Sequence, residues 1–160
     1  MNPCPCGYLG DPQRECTCTD GEIRRYGQKI SGPLLDRIDL HVSVMRPKYS
    51  ELTATIQGEP SCDIAKRVAE ARAVQAERLS RWHMQSNAQM GHRQLKETCQ
   101  LDAEGTEMLR VVFEKLHLSA RSYDRIIKVA RTIADLAGSD QIRPEHVAEA
   151  ISFRNMINGK

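Results

Sequence analysis

From His92 onward the chain repeats apolar residues at helical spacing. A short helix is predicted over His92–Cys99. Asp102 is placed to cap a second helix carrying Met108, Leu109, Val112, Phe113 and Leu116. Ser119 is placed to cap a third, whose apolar set is Tyr123, Ile126, Ile127, Ala130, Ile133, Ala134 and Ala137. Gly138 suits the residue just past its end. Pro144 suits the first turn of a final helix with Val147, Ala150 and Ile151 inside. Short connections between these elements predict a compact antiparallel helix cluster.

Upstream the pattern changes. Ser61 is a fair cap for a helix reaching about Leu79, with Ile64, Val68 and Ala71 on one side and Lys66, Arg67, Arg72 and Arg78 over much of the rest. Polar residues 85–92, with Gly91, predict a break. Residues 48–60, punctuated by Gly58 and Pro60, read as a linker. Leu40, His41, Val42, Ser43 and Val44 alternate as in a strand that Arg46-Pro47 ends. A single strand cannot satisfy its own edges, so residues 1–46 read as part of a larger sheet. They are expected to be mobile or held by a neighbouring chain, whereas 92–157 is expected to fold alone. Ser31-Gly32-Pro33 is a break, residues 23–30 a basic short helix or turn, and residues 1–22 a loop or knuckle with no helical period.

The 160 residues suffice for one ordinary domain or two small ones. Aromatics make up only 4%, so the core must come from Leu, Ile, Val, Ala and Met. No apolar run is long enough to span a membrane, and no charged-then-apolar start suggests a secretory signal, so a cytoplasmic protein with no membrane partner is expected. A net charge of +2 gives no global argument for nucleic acid; any basic surface must be local.

Four of the six cysteines fall in two pairs, Cys4-Pro-Cys6 and Cys16-Thr-Cys18; Cys62 and Cys99 stand alone. In a reducing compartment four clustered thiols can hold a tetrahedral zinc ion with no open position. The spacing within each pair is shorter than usual for zinc, and four reduced thiols in a loop is the alternative. Arg37, between Asp36 and Asp39, reads by itself as a salt-bridged arginine at a strand edge rather than as a functional group. Arg121 falls in the first turn of a helix, where the dipole disfavours a cation. That placement points to a nearby carboxylate or an anion such as phosphate, with an exposed basic face as the alternative. Arg125 follows one turn on. Trp82 reads as helix-end packing, and His83, His92, His117 and His146 show no ligand spacing. No G-x-x-x-x-G-K-[ST] phosphate loop and no acidic magnesium cluster occurs.

Met1-Asn-Pro-Cys-Pro-Cys-Gly, Ser31-Gly-Pro-Leu-Leu-Asp-Arg-Ile-Asp-Leu40, Leu118-Ser-Ala-Arg and Lys128-Val-Ala-Arg-Thr-Ile-Ala-Asp-Leu136 occur in that order. Together they resemble the magnesium-chelatase-like AAA+ ATPases of the ComM (YifB) type, over essentially the whole chain but only the C-terminal third of such a protein. The resemblance implies a mainly α fragment: a remnant of an α/β core with one or two strands, then a helical lid. Residues 1–47 would be partial core with the Cys-rich loop after the first sensor, 48–91 a linker and connecting helix, and 92–160 the lid. It implies that Asn2 is the first sensor, Arg37 the arginine finger serving the neighbouring subunit, and Arg121 the second sensor on phosphate. It implies ATP and Mg2+ as cofactors of the full-length protein, a ring (a hexamer) and DNA as a partner in competence-related branch migration. Arg24, Arg25 and Lys29 would then touch DNA phosphates, with a solvated basic turn as the equal alternative. A chelatase motor subunit and a self-contained zinc-binding interaction module are the competing assignments. Without a phosphate loop the chain alone is expected not to hydrolyse ATP.

Overall fold

A computed structural model describes residues 1–44, 46–47, 49, 53, 58–116 and 118–154. His117, most of the predicted linker over 48–57 and the last six residues of the predicted lid lie outside the described residues. The chain divides into two compact units: Met1–Ile38 with Val42–Thr55, and Asp39–His41 with Ile56–Lys160. Both are helical, as the mainly α expectation requires.

The first unit opens with an irregular loop and two short helices, α1 (Asp20–Gly27) and α2 (Gly32–Leu35). Thr19 starts α1 with a reciprocal cap: its side chain accepts from the Glu22 N–H, and Glu22 accepts from the Thr19 N–H at 2.8 Å. The same contact holds the Glu22 carboxyl below its usual range, because its ionised form accepts the Thr19 N–H and hydroxyl. Ser31 and Pro33 begin α2, so the predicted break is also a helix start. Neither helix buries a residue. Cys4 is the one buried apolar side chain among the described residues of this unit.

The strand expected over Leu40–Val44 does not form among the described residues. Val42 is 66% and Val44 90% exposed. A lone alternating segment has no neighbouring strand to take its backbone groups, so its pattern alone cannot make a ladder. Within the second unit the His41 N–H is instead taken by the Phe153 carbonyl at 3.0 Å.

The second unit contains α3 (Ser61–Leu79), α4 (His92–Thr98), α5 (Ala103–Lys115), α6 (Ala120–Leu136) and α7 (Pro144–Ser152), with 3-10 turns at Ser80–Trp82 and Asn87–Gln89. The cap of α3 is Pro60 rather than Ser61. Helix α6 is central and packs against α3, α4 and α7. Its Ile126, Ile127, Ala130 and Ala134 join Leu79, Met90, Leu95, Leu109, Val147 and Ile151 in one core. Each fully buried Leu or Ile contributes about 1.5–3 kcal/mol. Ser119 and Asp102 cap α6 and α5 as the sequence predicts, accepting from the N–H groups of Ser122 and Gly105. Gly138, at φ 66°, closes α6 in the left-handed region, with the Ser139 N–H on the Ala134 carbonyl at 2.9 Å. Burial also raises the pKa of the lone Cys99, which keeps it a neutral core thiol.

Only the second half of α3 is embedded, through Ala71, Gln75 and Leu79; Ile64 and Val68 remain exposed. The Asp102 cap is short (2.7 Å) and its carboxylate also fills the space beside Gly105. Asp102→Ala is expected to cost about 1 kcal/mol, measured by chemical denaturation of this chain.

Candidate functional site

The loop over residues 1–18 is built by tight reversals. The Gly7 N–H bonds the Cys4 carbonyl at 3.1 Å, and the Asp11 N–H bonds the Tyr8 carbonyl at 3.0 Å. Gly7 and Gly10 sit at φ 83° and 81°, a region that favours glycine. Asp11 then accepts the N–H groups of Gln13 and Arg14, and Arg14 lies over the Tyr8 ring at 4.1 Å while donating to its hydroxyl. These contacts fold the second Cys pair back onto the first.

The four thiols converge as a result. Cys4 Sγ lies 3.4 Å from Cys6 Sγ and 3.6 Å from Cys16 Sγ, and Cys6 and Cys16 are 3.6 Å apart. All four sulfurs, Cys18 included, fall within 4.8 Å of one another, and none is in a disulfide. Their acidities diverge. Backbone hydrogen bonds from Tyr8 and then Thr17 lower Cys6 to about 6. Cys18 is pushed up to about 12: its backbone hydrogen bond with Cys6 lowers it, but burial and contacts to the other three sulfurs outweigh that. Cys16 is raised in the same way, its backbone bond with Cys18 outweighed by burial and by the Cys6 and Cys4 sulfurs. One thiolate forms readily and its neighbours then resist, because like charges a few ångströms apart oppose each other without a cation. This group can bind a metal ion.

Asn2 is exposed beside this loop; a Cβ at Gly7 would lie 3.6 Å from its Nδ2. Arg24, Arg25 and Lys29 are exposed on α1 and just after it, with the Lys29 ammonium 5.2 Å from the Tyr26 ring centre. Arg37 follows α2 with an exposed side chain, its N–H on the Leu34 carbonyl at 3.0 Å. In the second unit, Arg121 is exposed in the first turn of α6 and makes no ion pair among the described residues. Arg125, one turn on, pairs with Asp39.

Two family models divide the chain between them. "Magnesium chelatase, subunit ChlI" matches residues 1–52, and "Magnesium chelatase, subunit ChlI C-terminal" matches residues 58–154. The chain belongs to the magnesium chelatase ChlI family. Within that family it is of the ComM/YifB type. It is 38% identical to Competence protein ComM of Haemophilus influenzae over 159 residues, 98% of this chain and 30% of that protein. It is 38% identical to the uncharacterized protein YifB of Escherichia coli over 156 residues, 96% of this chain and 29% of that protein. An uncharacterized protein of Mycobacterium tuberculosis matches at the same identity over 153 residues. The chain therefore spans less than a third of the length of these relatives.

One group of this ChlI-family chain is absent from the sequence reading. Arg78 grips Asp135 with two hydrogen bonds, 2.8 and 2.7 Å, and Asn87 at 3.0 Å. Asn87 donates to Asp135 at 2.8 Å and to Thr132 at 3.0 Å, and Arg131 donates to Asp135 at 3.0 Å. Arg131 also donates to the carbonyls of Asp140 and Ser139 just past the end of α6. The Asp135 side chain is wholly buried. The signal lay in Lys128–Leu136, where Arg131 and Asp135 stand four apart beside the apolar stripe.

Proposed function

We propose that this chain is the sensor-and-lid portion of a ring-forming AAA+ ATPase that acts on DNA. The observation that carries the proposal is the match of both ChlI models in register, with Asn2 and Arg37 in the first and Arg121 in the second. In this reading Asn2 orients the attacking water near the γ-phosphate of ATP. Arg37 reaches the nucleotide of the next subunit and neutralises charge on the transferring phosphoryl group. Arg121 contacts phosphate from the lid; its exposed guanidinium, in no ion pair among the described residues, lies at a helix start and fits an anion. ATP and Mg2+ are bound mainly by parts of the longer protein outside this chain, which itself has no phosphate loop. A hexameric ring places each Arg37 at a subunit boundary.

The competence name of the Haemophilus relative supports DNA as the substrate. Arg24, Arg25 and Lys29 supply exposed cations suited to its phosphates. The test compares the 160-residue chain with the longer protein that carries G-x-x-x-x-G-K-[ST]. The short chain should release no phosphate from ATP above background, and the longer one should hydrolyse ATP faster when DNA is added. Robust hydrolysis by the short chain would refute this reading. An ATPase indifferent to DNA would point instead to a chelatase-type motor subunit.

A further inference from the structure

We propose that Cys4, Cys6, Cys16 and Cys18 together hold one structural zinc ion, and that this centre is the organising element of the first unit and the support on which Asn2 rests. Four observations lead to this.

The first is size. At a Zn–S distance of about 2.3 Å, the edge of a tetrahedral four-sulfur site is about 3.8 Å. The separations among the Cys4, Cys6 and Cys16 sulfurs are 3.4–3.6 Å, a slight contraction from that edge. Such spacing fits four thiolates on one ion. A polynuclear iron–sulfur cluster ties its cysteines to different irons and needs them farther apart.

The second is chemistry. The donors are four soft thiols with no imidazole or carboxylate among them, the set that suits zinc in a closed site.

The third is the surrounding shell. The Tyr8–Arg14 stack and the Asp11 turn fix the hairpin that joins the pairs.

The fourth is what the unit lacks. Among its described residues only Cys4 is a buried apolar side chain, so those residues form no hydrophobic core. Small units without a core are commonly held by a metal or by covalent links, and no disulfide is present here.

Asn2 stands two residues before Cys4, and its side chain lies against Gly7, whose φ of 83° belongs to the Cys4–Gly7 turn. Closing the metal site would therefore hold the ground beneath Asn2. The functional weight of that support rests on the sensor reading above; the metal site does not.

The experiment is elemental analysis of the purified 160-residue chain kept under a thiol reductant, with 1H–15N spectra before and after chelation. The wild type is expected to carry about one zinc per chain, and Cys62→Ser the same. The double variant Cys16→Ser/Cys18→Ser is expected to carry almost none. Chelation should shift the resonances of residues 1–30, including the Asn2 side-chain amide, while those of Asn87 and α6 stay in place. A reduced, folded wild type without zinc overturns the site, as does iron in its place or a disulfide within the cluster. Zinc present with an unmoved Asn2 amide overturns the supporting role. None of these readouts involves a nucleotide, so their failure is separable from failure of the ATPase reading.

Discussion

Asp135→Ala is expected to lower the stability of the helical unit by about 3–5 kcal/mol, the range for removing one partner of a buried ion pair. The reason is geometric. Arg131 keeps only 3% of its side-chain surface exposed and Arg78 only 21%, and both aim at the same carboxylate. Without it, two guanidinium groups and the Asn87 amide each lose an acceptor in a region water barely reaches. Asp135→Asn should cost less, since one carbonyl oxygen remains. Urea unfolding followed by far-UV circular dichroism reads the loss. A double-mutant cycle with Arg78→Met then separates the pair from the burial. A change of under 1 kcal/mol for Asp135→Ala would show that the network contributes little.

In the longer protein, Arg37→Ala is expected to leave ring assembly intact and to reduce DNA-stimulated ATP hydrolysis about a thousandfold or more, the scale of losing an arginine finger. Assembly should survive because the Arg37 side chain is exposed and lies outside any core. In the proposed arrangement the finger serves the neighbouring site, so mixing this variant with subunits lacking the phosphate-loop lysine should restore part of the activity. Normal hydrolysis by Arg37→Ala would leave Arg37 a structural residue only.

What the sequence disclosed follows from how local each feature is. The α6 stripe, the Ser119 and Asp102 caps and the Gly138 terminus were all legible, because helical periodicity and capping depend on residues within a few positions. The convergence of the four cysteines was legible too, since glycines in the loop allow the reversal that brings both pairs together. The strand over Leu40–Val44 was misread for the opposite reason. Alternation records a potential face, but a ladder needs a partner that no local pattern supplies. Ile64 and Val68 misled similarly, being spaced for burial yet left exposed. The Arg78–Asn87–Asp135 group was invisible because charged residues read as solvent-facing. Only the fold shows that Arg78 meets an acid 57 positions away.

That separation bears on the order in which the helical unit comes together. Contacts between α6 and α7, and between Arg131 and Asp135, span short stretches of chain and can be made early. The Arg78–Asp135 bond must first close a loop of 57 residues, with the entropy that this costs. Helix α3 can coil on its own and meet Asn87 nearby, but its second half packs against α6 only once that helix is in place. Its embedding through Ala71, Gln75 and Leu79 is therefore expected to finish after α6 has formed. A chain emerging from the ribosome would hold α3 apart from α6 until residues beyond Asp135 had been made.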